Sequence, residues 1–257
     1  MIDNGMAAVI AGLFGAVIGS FLNVCIVRWP AEQSVVKPRS RCPRCGSQLA
    51  WYDNIPVVSW LLLRGKCRSC GEPIAALYPL VELATALIWA GLGLHLGLTL
   101  AALQGALFCT ILLGIAMTDA REYLIPDEFT LGGLVLGLLF AAAGGGASLV
   151  TALIGAAVGF GLLWIVGQLG TWAFKEEAMG GGDIKMMAMV GAFVGWQGVL
   201  LTIFMGALAG TLIFLPMSLA GKKKLVPFGI FLAIGAAVTY LVGPAVIAWY
   251  KSFIGVA

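Results

Sequence analysis

Long apolar runs dominate this chain and decide which solvent it folds in. Separated by polar or glycine-rich breaks, about eight of them approach the ~20 residues that a helix needs to cross a bilayer. They fall near residues 6–27, 76–97, 99–117, 128–145, 148–173, 184–195, 197–219 and 227–249. Of the 257 residues, 61% are hydrophobic and 11% charged, whereas a soluble domain carries roughly a quarter charged residues. The prediction is an all-α polytopic membrane protein with about eight transmembrane helices. No Lys or Arg precedes Arg28, so residues 6–27 read as a retained first helix and not as a cleaved signal. A net charge of +3 is too small to point to nucleic acid.

Small-xxx-small pairs recur at Gly15/Gly19, Gly133/Gly137, Gly155/Gly159, Gly191/Gly195 and Gly206/Gly210. They are expected where helices must approach closely in lipid. Basic residues set the orientation: Arg28, Lys37, Arg39, Arg41, Arg44, Arg64, Lys66 and Arg68 crowd the first loop, which the positive-inside rule places in the cytoplasm. Counting spans from there puts Arg121, Lys175, Lys185 and Lys222-Lys223-Lys224 on the same side, and only Lys251 of the 15 basic residues opposite. Both termini are then external.

The first loop carries Cys42-Pro43-Arg44-Cys45-Gly46 and Cys67-Arg68-Ser69-Cys70-Gly71. Two such knuckles predict a structural four-cysteine Zn²⁺ site of Cys42, Cys45, Cys67 and Cys70. The alternative, two disulfides, is disfavoured in a reducing cytoplasm. The glycine after each pair lets the turn open so that backbone amides face sulfur. Four thiolates around Zn²⁺ leave a formal −2, which Arg41, Arg44, Lys66 and Arg68 are placed to offset. A lobe this small needs the metal to fold. The predicted organisation is a first transmembrane helix (1–28), a cytoplasmic zinc domain (29–75) and a transmembrane catalytic domain (76–257). Cys25 and Cys109 fall within spans, as packing residues.

Two aspartates stand at the edges of apolar runs: Asp119 in Met117-Thr118-Asp119-Ala120, and Asp183 closing Met179-Gly180-Gly181-Gly182-Asp183. A carboxylate beside lipid is functional by default. By the span count both lie at the cytoplasmic edge of the membrane. Two carboxyl groups can activate water at a peptide bond, one ionised and taking a proton, the other protonated and donating it. Gly180 and Gly182 would let a substrate backbone or a neighbouring helix come close. Each aspartate also has a plain reading as a cap, Asp183 for the sixth span. Lys185 is placed to act on Asp183 through space, or to snorkel. Asp127, after Pro126, reads as a cap for the fourth span. Glu82, nearly two turns into the second span, reads as structural or as part of a methyl-transfer site. His95 falls near a boundary, and Met186, Met187 and Met189 read as packing.

In order along the chain come Gly19-Ser20-Phe21-Leu22-Asn23-Val24, the segment 38–45, Asn54-Ile55-Pro56, Arg64-Gly65-Lys66-Cys67, Tyr78-Pro79-Leu80-Val81-Glu82, Asp119 with Ile125-Pro126-Asp127, Gly180 to Lys185, and Pro227-Phe228-Gly229. Together they resemble the type IV prepilin peptidases, bifunctional enzymes of the GxGD aspartyl protease class. The resemblance implies catalysis by Asp119 and Asp183 and removal of a short basic leader from prepilins or pseudopilins at the cytoplasmic face of the bacterial inner membrane. It also implies N-methylation of the new N-terminus with S-adenosylmethionine as donor. The loop charges add an expectation. The segments 119–128 (Asp119, Glu122, Asp127, Glu128 against Arg121) and 175–185 (Glu176, Glu177, Asp183 against Lys175, Lys185) form an acidic surround suited to a basic leader. The basic zinc lobe suits anionic lipid. Two other classes fit the same composition: a proton-relaying transporter, and a zinc-bearing membrane scaffold without catalysis.

Overall fold

The computed structural model describes residues 3–219 and 227–255, with the side chains of 215–219 left aside; Lys222, Lys223 and Lys224 lie outside the described residues. Among the described residues the chain is helical and contains no strand, only two isolated bridges. The helices are α1 (Asn4–Arg28), α2 (Val58–Leu62), α3 (Leu77–Leu96), α4 (Leu100–Glu122), α5 (Asp127–Ala142), α6 (Leu149–Phe174), α7 (Gly181–Leu219) and α8 (Phe228–Phe253), with a 3₁₀ turn at Trp51–Asn54. Helices satisfy every backbone polar group internally, which lipid demands. Six of them are long and apolar enough to span: α1, α3, α4, α6, α7 and α8.

The predicted number near eight differs from six for two reasons. At 16 residues, α5 extends about 24 Å at 1.5 Å per residue, short of a full span. And α7 is two helices in one, interrupted at Gly195 (φ 70°, ψ 175°). Before the break, Gly182 lies against Ile125 and Gly191 against Gly155 of α6; after it, Gly198 lies against Thr239 and Gly206 against Leu232 of α8. The start of α8, at Gly229, is also beside Ile125. Residues 181–194 therefore run away from that end and 196–219 return toward it. With α5 included and α7 divided, eight helical segments correspond to the eight runs read from the sequence, six helices being long and apolar enough to span.

The chain forms two compact units, Met1–Thr110 and Ile111–Ala257. In the first, α1 and α3 pack antiparallel. A Cβ at Gly15 would meet Trp89 and the Thr85 carbonyl, one at Gly19 the Glu82 backbone, and one at Gly93 the Ala7 carbonyl. Trp89, Leu92 and Ala106 form the core, flanked by Ala11, Ile18, Ile88 and Leu107. The buried Trp89 indole N–H is satisfied by Thr110 Oγ1 at 2.9 Å. Asp3 caps α1 by accepting the Met6 N–H at 2.7 Å, and Arg28 at its other end turns the chain outward by donating to the Ser34 and Pro38 carbonyls, both at 2.8 Å.

In the second unit, α5 and α6 flank residues 181–194. Gly133 and Gly137 lie against Met189 and Phe193, while Cβ atoms at Gly155 and Gly159 would run into the Gly191 and Met187 carbonyls. Met186, Met187 and Met189 are fully buried, as packing residues. Of the five small-residue pairs, Gly195 has a second role besides packing: its Cα would crowd a Cβ on Gly155, and its positive φ is the break itself.

Candidate active site and metal centre

Asp119 is carried by the last turn of α4 and is 6% exposed. Its Oδ2 accepts the Ile230 N–H at 3.0 Å. The α8 N-cap, Pro227, supplies no side-chain acceptor, so Asp119, from 111 residues away, satisfies an otherwise orphan amide of that helix. The approach requires Gly229, whose Cβ would lie 2.9 Å from Asp119 Oδ2 and 2.8 Å from Ile125 Cδ1.

Asp183 is in the first turn of α7. The reading of it as an N-cap is corrected: the helix already begins at Gly181, and the Asp183 N–H bonds the Gly180 carbonyl at 3.2 Å. Its Oδ1 is buried and has no hydrogen-bond partner among the described residues. Asp119 and Asp183 lie within electrostatic reach of each other. Ile125 lies beside both Gly182, the neighbour of Asp183, and Gly229, the glycine against Asp119. Gly180 approaches Asp183 Oδ2, and Gly181 faces open space.

Two other readings are corrected by one contact. Lys185 Nζ donates to both oxygens of Asp127, at 2.7 and 2.8 Å. Asp127 is the first residue of α5, whose cap position is Pro126 without a side-chain bond. Its carboxylate is spent on Lys185, and Lys185 turns to Asp127 and not to Asp183. The net charge of the surround is unchanged by this pairing, and its exposed, unpaired acidic residues among the described residues are Glu122, Glu128, Glu176 and Glu177.

The four cysteines of the first loop are brought together. Cys42, Cys45, Cys67 and Cys70 place their sulfurs within 4.8 Å of one another, with Cys42 and Cys70 3.9 Å apart. A tetrahedral site with Zn–S near 2.3 Å spaces its sulfurs about 3.8 Å apart. The knuckles are copies: the Gly46 and Gly71 N–H groups bond the Cys42 and Cys67 carbonyls at 2.9 Å, and both glycines have φ 72°. Donation from the Ser47 hydroxyl and backbone brings the Cys45 thiol down to about 6. The Glu72 amide pulls Cys70 down as well, but burial and the neighbouring thiols outweigh it and push it up to about 12. Such a donor set, with one sulfur ready to ionise and another held back by its neighbours, is one that a divalent cation reconciles, and the residues fit a metal ion. All six cysteines are unbridged. Of the cations expected to offset the cluster, Arg68 is committed elsewhere, to Asp53 at 2.7 Å and over the Tyr52 ring.

Glu82 lies in the first unit. Its Oε2 accepts the Val57 N–H at 2.7 Å, with Ser20 a second donor. Val57 has φ 61°, strained for a β-branched residue, so Glu82 holds a strained turn. Asn23 donates to the Tyr78 carbonyl at 2.9 Å. His95 is an exposed residue in the last turn of α3. The Glu82–Val57, Asp119–Ile230 and Lys185–Asp127 contacts carry no local signal, because each joins residues at least 25 apart.

A helical membrane protein with a carboxylate pair at one end of a bundle and a four-thiol centre belongs to a narrow class. Residues 13–96 match the bacterial peptidase A24 N-terminal domain, and 106–215 match the type IV leader peptidase family. A prepilin leader peptidase/N-methyltransferase of Aeromonas hydrophila is 37% identical over 93% of this chain and 91% of its own length. One from Pseudomonas aeruginosa is 39% identical over 95% and 93%. One from Myxococcus xanthus is 43% identical over 84% of this chain and 66% of its own length. The chain belongs to the type IV leader peptidase family. No solved structure matches it.

Proposed function

We propose that this protein is a membrane aspartyl endopeptidase that removes the leader of type IV prepilins or pseudopilins and N-methylates the newly exposed residue. Asp119 and Asp183 are the catalytic pair of this reading. One carboxylate takes a proton from water, and the resulting hydroxide attacks the scissile carbonyl. The other gives its proton to the developing oxyanion. As the C–N bond breaks, the first passes the water's proton to the leaving amine and the collapsing hydroxyl returns its proton to the second. The pair titrates as a unit, so the two roles belong to the dyad. The observation that carries the reading is the buried, partnerless Oδ1 of Asp183 within reach of Asp119. A carboxylate oxygen left without a donor in an apolar bundle is costly as structure and useful as a place for a reacting group.

The metal implied is a structural Zn²⁺ on Cys42, Cys45, Cys67 and Cys70, which fixes the lobe 29–75; residues 76–257 carry the peptidase chemistry. S-adenosylmethionine supplies the methyl group to the new amine. Glu82 is already engaged by Val57, so its structural role is the better supported. Basic-residue placement supports a bacterial inner-membrane protein with the site and lobe cytoplasmic and both termini external. Exposed Glu122, Glu128, Glu176 and Glu177 supply the negative field for a basic leader. A proton-relay transporter needs its carboxylates nearer mid-bilayer, whereas these occupy helix ends.

The test is cleavage of a prepilin by membranes carrying wild type, Asp119→Asn or Asp183→Asn. Asparagine at 119 keeps an acceptor for Ile230, so that variant separates chemistry from support of α8. Loss of cleavage in both is expected; retained cleavage in either overturns the dyad. Mass spectrometry of the mature N-terminus, with and without S-adenosylmethionine, tests methylation.

A further inference from the structure

The short helix α2 is built inside out. Ser59 and Trp60 turn inward: the Ser59 hydroxyl donates to the Asp53 and Ile55 carbonyls at 2.9 and 2.6 Å, and the Trp60 indole N–H donates to the Ile74 carbonyl at 3.1 Å. Val58, Leu61 and Leu62, at i, i+3 and i+4, share the outward face. Leu61 is 60% and Leu62 78% exposed. Trp51, 73% exposed, and Ile55 add further exposed apolar side chains in the segment just before α2. These residues lie outside the spanning helices, so their exposure is not explained by a transmembrane surface. A contiguous apolar face of this kind marks contact with lipid or with another protein.

The hydrogen bonds fix its depth. Val57, next to α2, is bonded to Glu82, which is five residues into the spanning helix α3 and thus about 8 Å along it. On its other side Trp60 is bonded to Ile74, just before α3 begins. Helix α2 is pinned at the level of the first turns of a membrane-spanning helix. Around it the lobe 29–76 carries Lys37, Arg39, Arg41, Arg44, Arg64, Lys66 and Arg68 against Glu32, Asp53 and Glu72, a basic excess that complements anionic headgroups.

We propose that the segment 51–62 is an interfacial lipid anchor. The face formed by Trp51, Ile55, Val58, Leu61 and Leu62 is buried among headgroups and upper acyl chains, and it holds the cysteine lobe against the bilayer. Interfacial helices with an apolar face and a basic surround bind membranes in this way. The partner is the lipid surface of the bilayer that α1 and α3 cross.

The test uses the full-length protein in nanodiscs of mixed zwitterionic and anionic lipid, a fraction of which carries a photoreactive group on the upper acyl chain. After illumination, adducts are mapped by mass spectrometry. Residues 58–62 are expected to take up lipid within about threefold of the outward face of α6, and about tenfold above the knuckle tip 43–48. Leu61→Glu/Leu62→Glu should lose that labelling and keep its metal content, since neither residue packs inside the lobe. Labelling of 58–62 at the level of the tip overturns the proposal. So does protection of 58–62 from a water-borne reagent only when a second protein is added, because the face would then be a protein-docking surface.

Discussion

Replacing Gly229 with alanine tests how the start of α8 holds Asp119. The added Cβ would stand 2.9 Å from Asp119 Oδ2, 3.1 Å from its Cγ and 2.8 Å from Ile125 Cδ1, where ordinary contact begins at 3.4 Å. Ile125 is also hemmed in by Gly182, next to Asp183, which narrows the room its end has to yield and leaves Asp119 to take up part of the shift. Relieving the overlap takes a displacement of about half an ångström. A 1 Å misplacement at a reacting centre costs about 10²-fold, so about tenfold in kcat is expected here, with KM within about twofold. Helix propensity alone favours alanine over glycine by roughly 1 kcal/mol, so the protein should still fold. The control is Gly132→Ala, whose Cβ meets nothing within 4 Å and whose kcat should match wild type. Cleavage of a prepilin-derived peptide by the full-length protein in nanodiscs supplies both constants. Unchanged kcat in Gly229→Ala, or an equal loss in both variants, would falsify the account of Asp119.

Metal retention should depend on pH. At pH 7 Cys45, at about 6, is ionised, while Cys70, at about 12, keeps its proton and must release it to bind metal. Affinity should therefore rise with pH across neutrality and fall more steeply below about pH 6, as Cys45 also protonates; chelator competition from pH 5 to 8 measures this, and a flat profile refutes the four-thiolate site. Stripping the metal should expose the lobe at Arg39, Arg44 and Arg64 to trypsin while the spanning helices stay protected. Breaking the exposed Lys185–Asp127 pair should cost under about 1 kcal/mol of stability but lower kcat several-fold. Lys185 stands two residues after Asp183 on α7, and its pair ties that turn to α5. The charge swap Asp127→Lys/Lys185→Asp should therefore recover part of that loss, and swap kinetics no better than either single variant would show that the pair does not position Asp183. Glu176→Lys/Glu177→Lys should weaken cleavage of basic leaders relative to neutral ones; an unchanged ratio removes the acidic surround from the specificity argument.

The elements legible in the sequence were those written in local composition. Apolar runs marked the spanning helices, and the twin Cys-x-x-Cys-Gly strings marked the knuckles, down to the positive φ at Gly46 and Gly71. Glycine pairs marked close contacts at Gly155/Gly159 and Gly133/Gly137. Gly195 carries the same signature as its partner Gly191, and both pack against Gly155, yet only Gly195 also breaks a helix. Small size alone does not distinguish an approach to a neighbour from a change of backbone hand. The cap read for Asp127, and the cap that was the alternative reading of Asp183, failed for a related reason. A polar residue before an apolar run is a local cue, but the partners that claimed or spared these carboxylates come from other helices whose register no local periodicity encodes. Asp119 shows the converse: it does cap a helix, but one that starts more than a hundred residues later.

The break at Gly195 also bears on the lipid. Residues 181–194 extend about 21 Å and α5 about 24 Å, and the two are neighbours through Gly133 and Gly137. Against a hydrocarbon core near 30 Å thick, both are too short by several ångströms, a mismatch a bilayer meets by thinning locally. Leu131, Val135 and Leu139 on the exposed face of α5 present that short surface to the acyl chains. The expected consequence is a locally thinner bilayer beside the helix that carries Asp183, which would leave a peptide arriving from the aqueous side less hydrocarbon to cross.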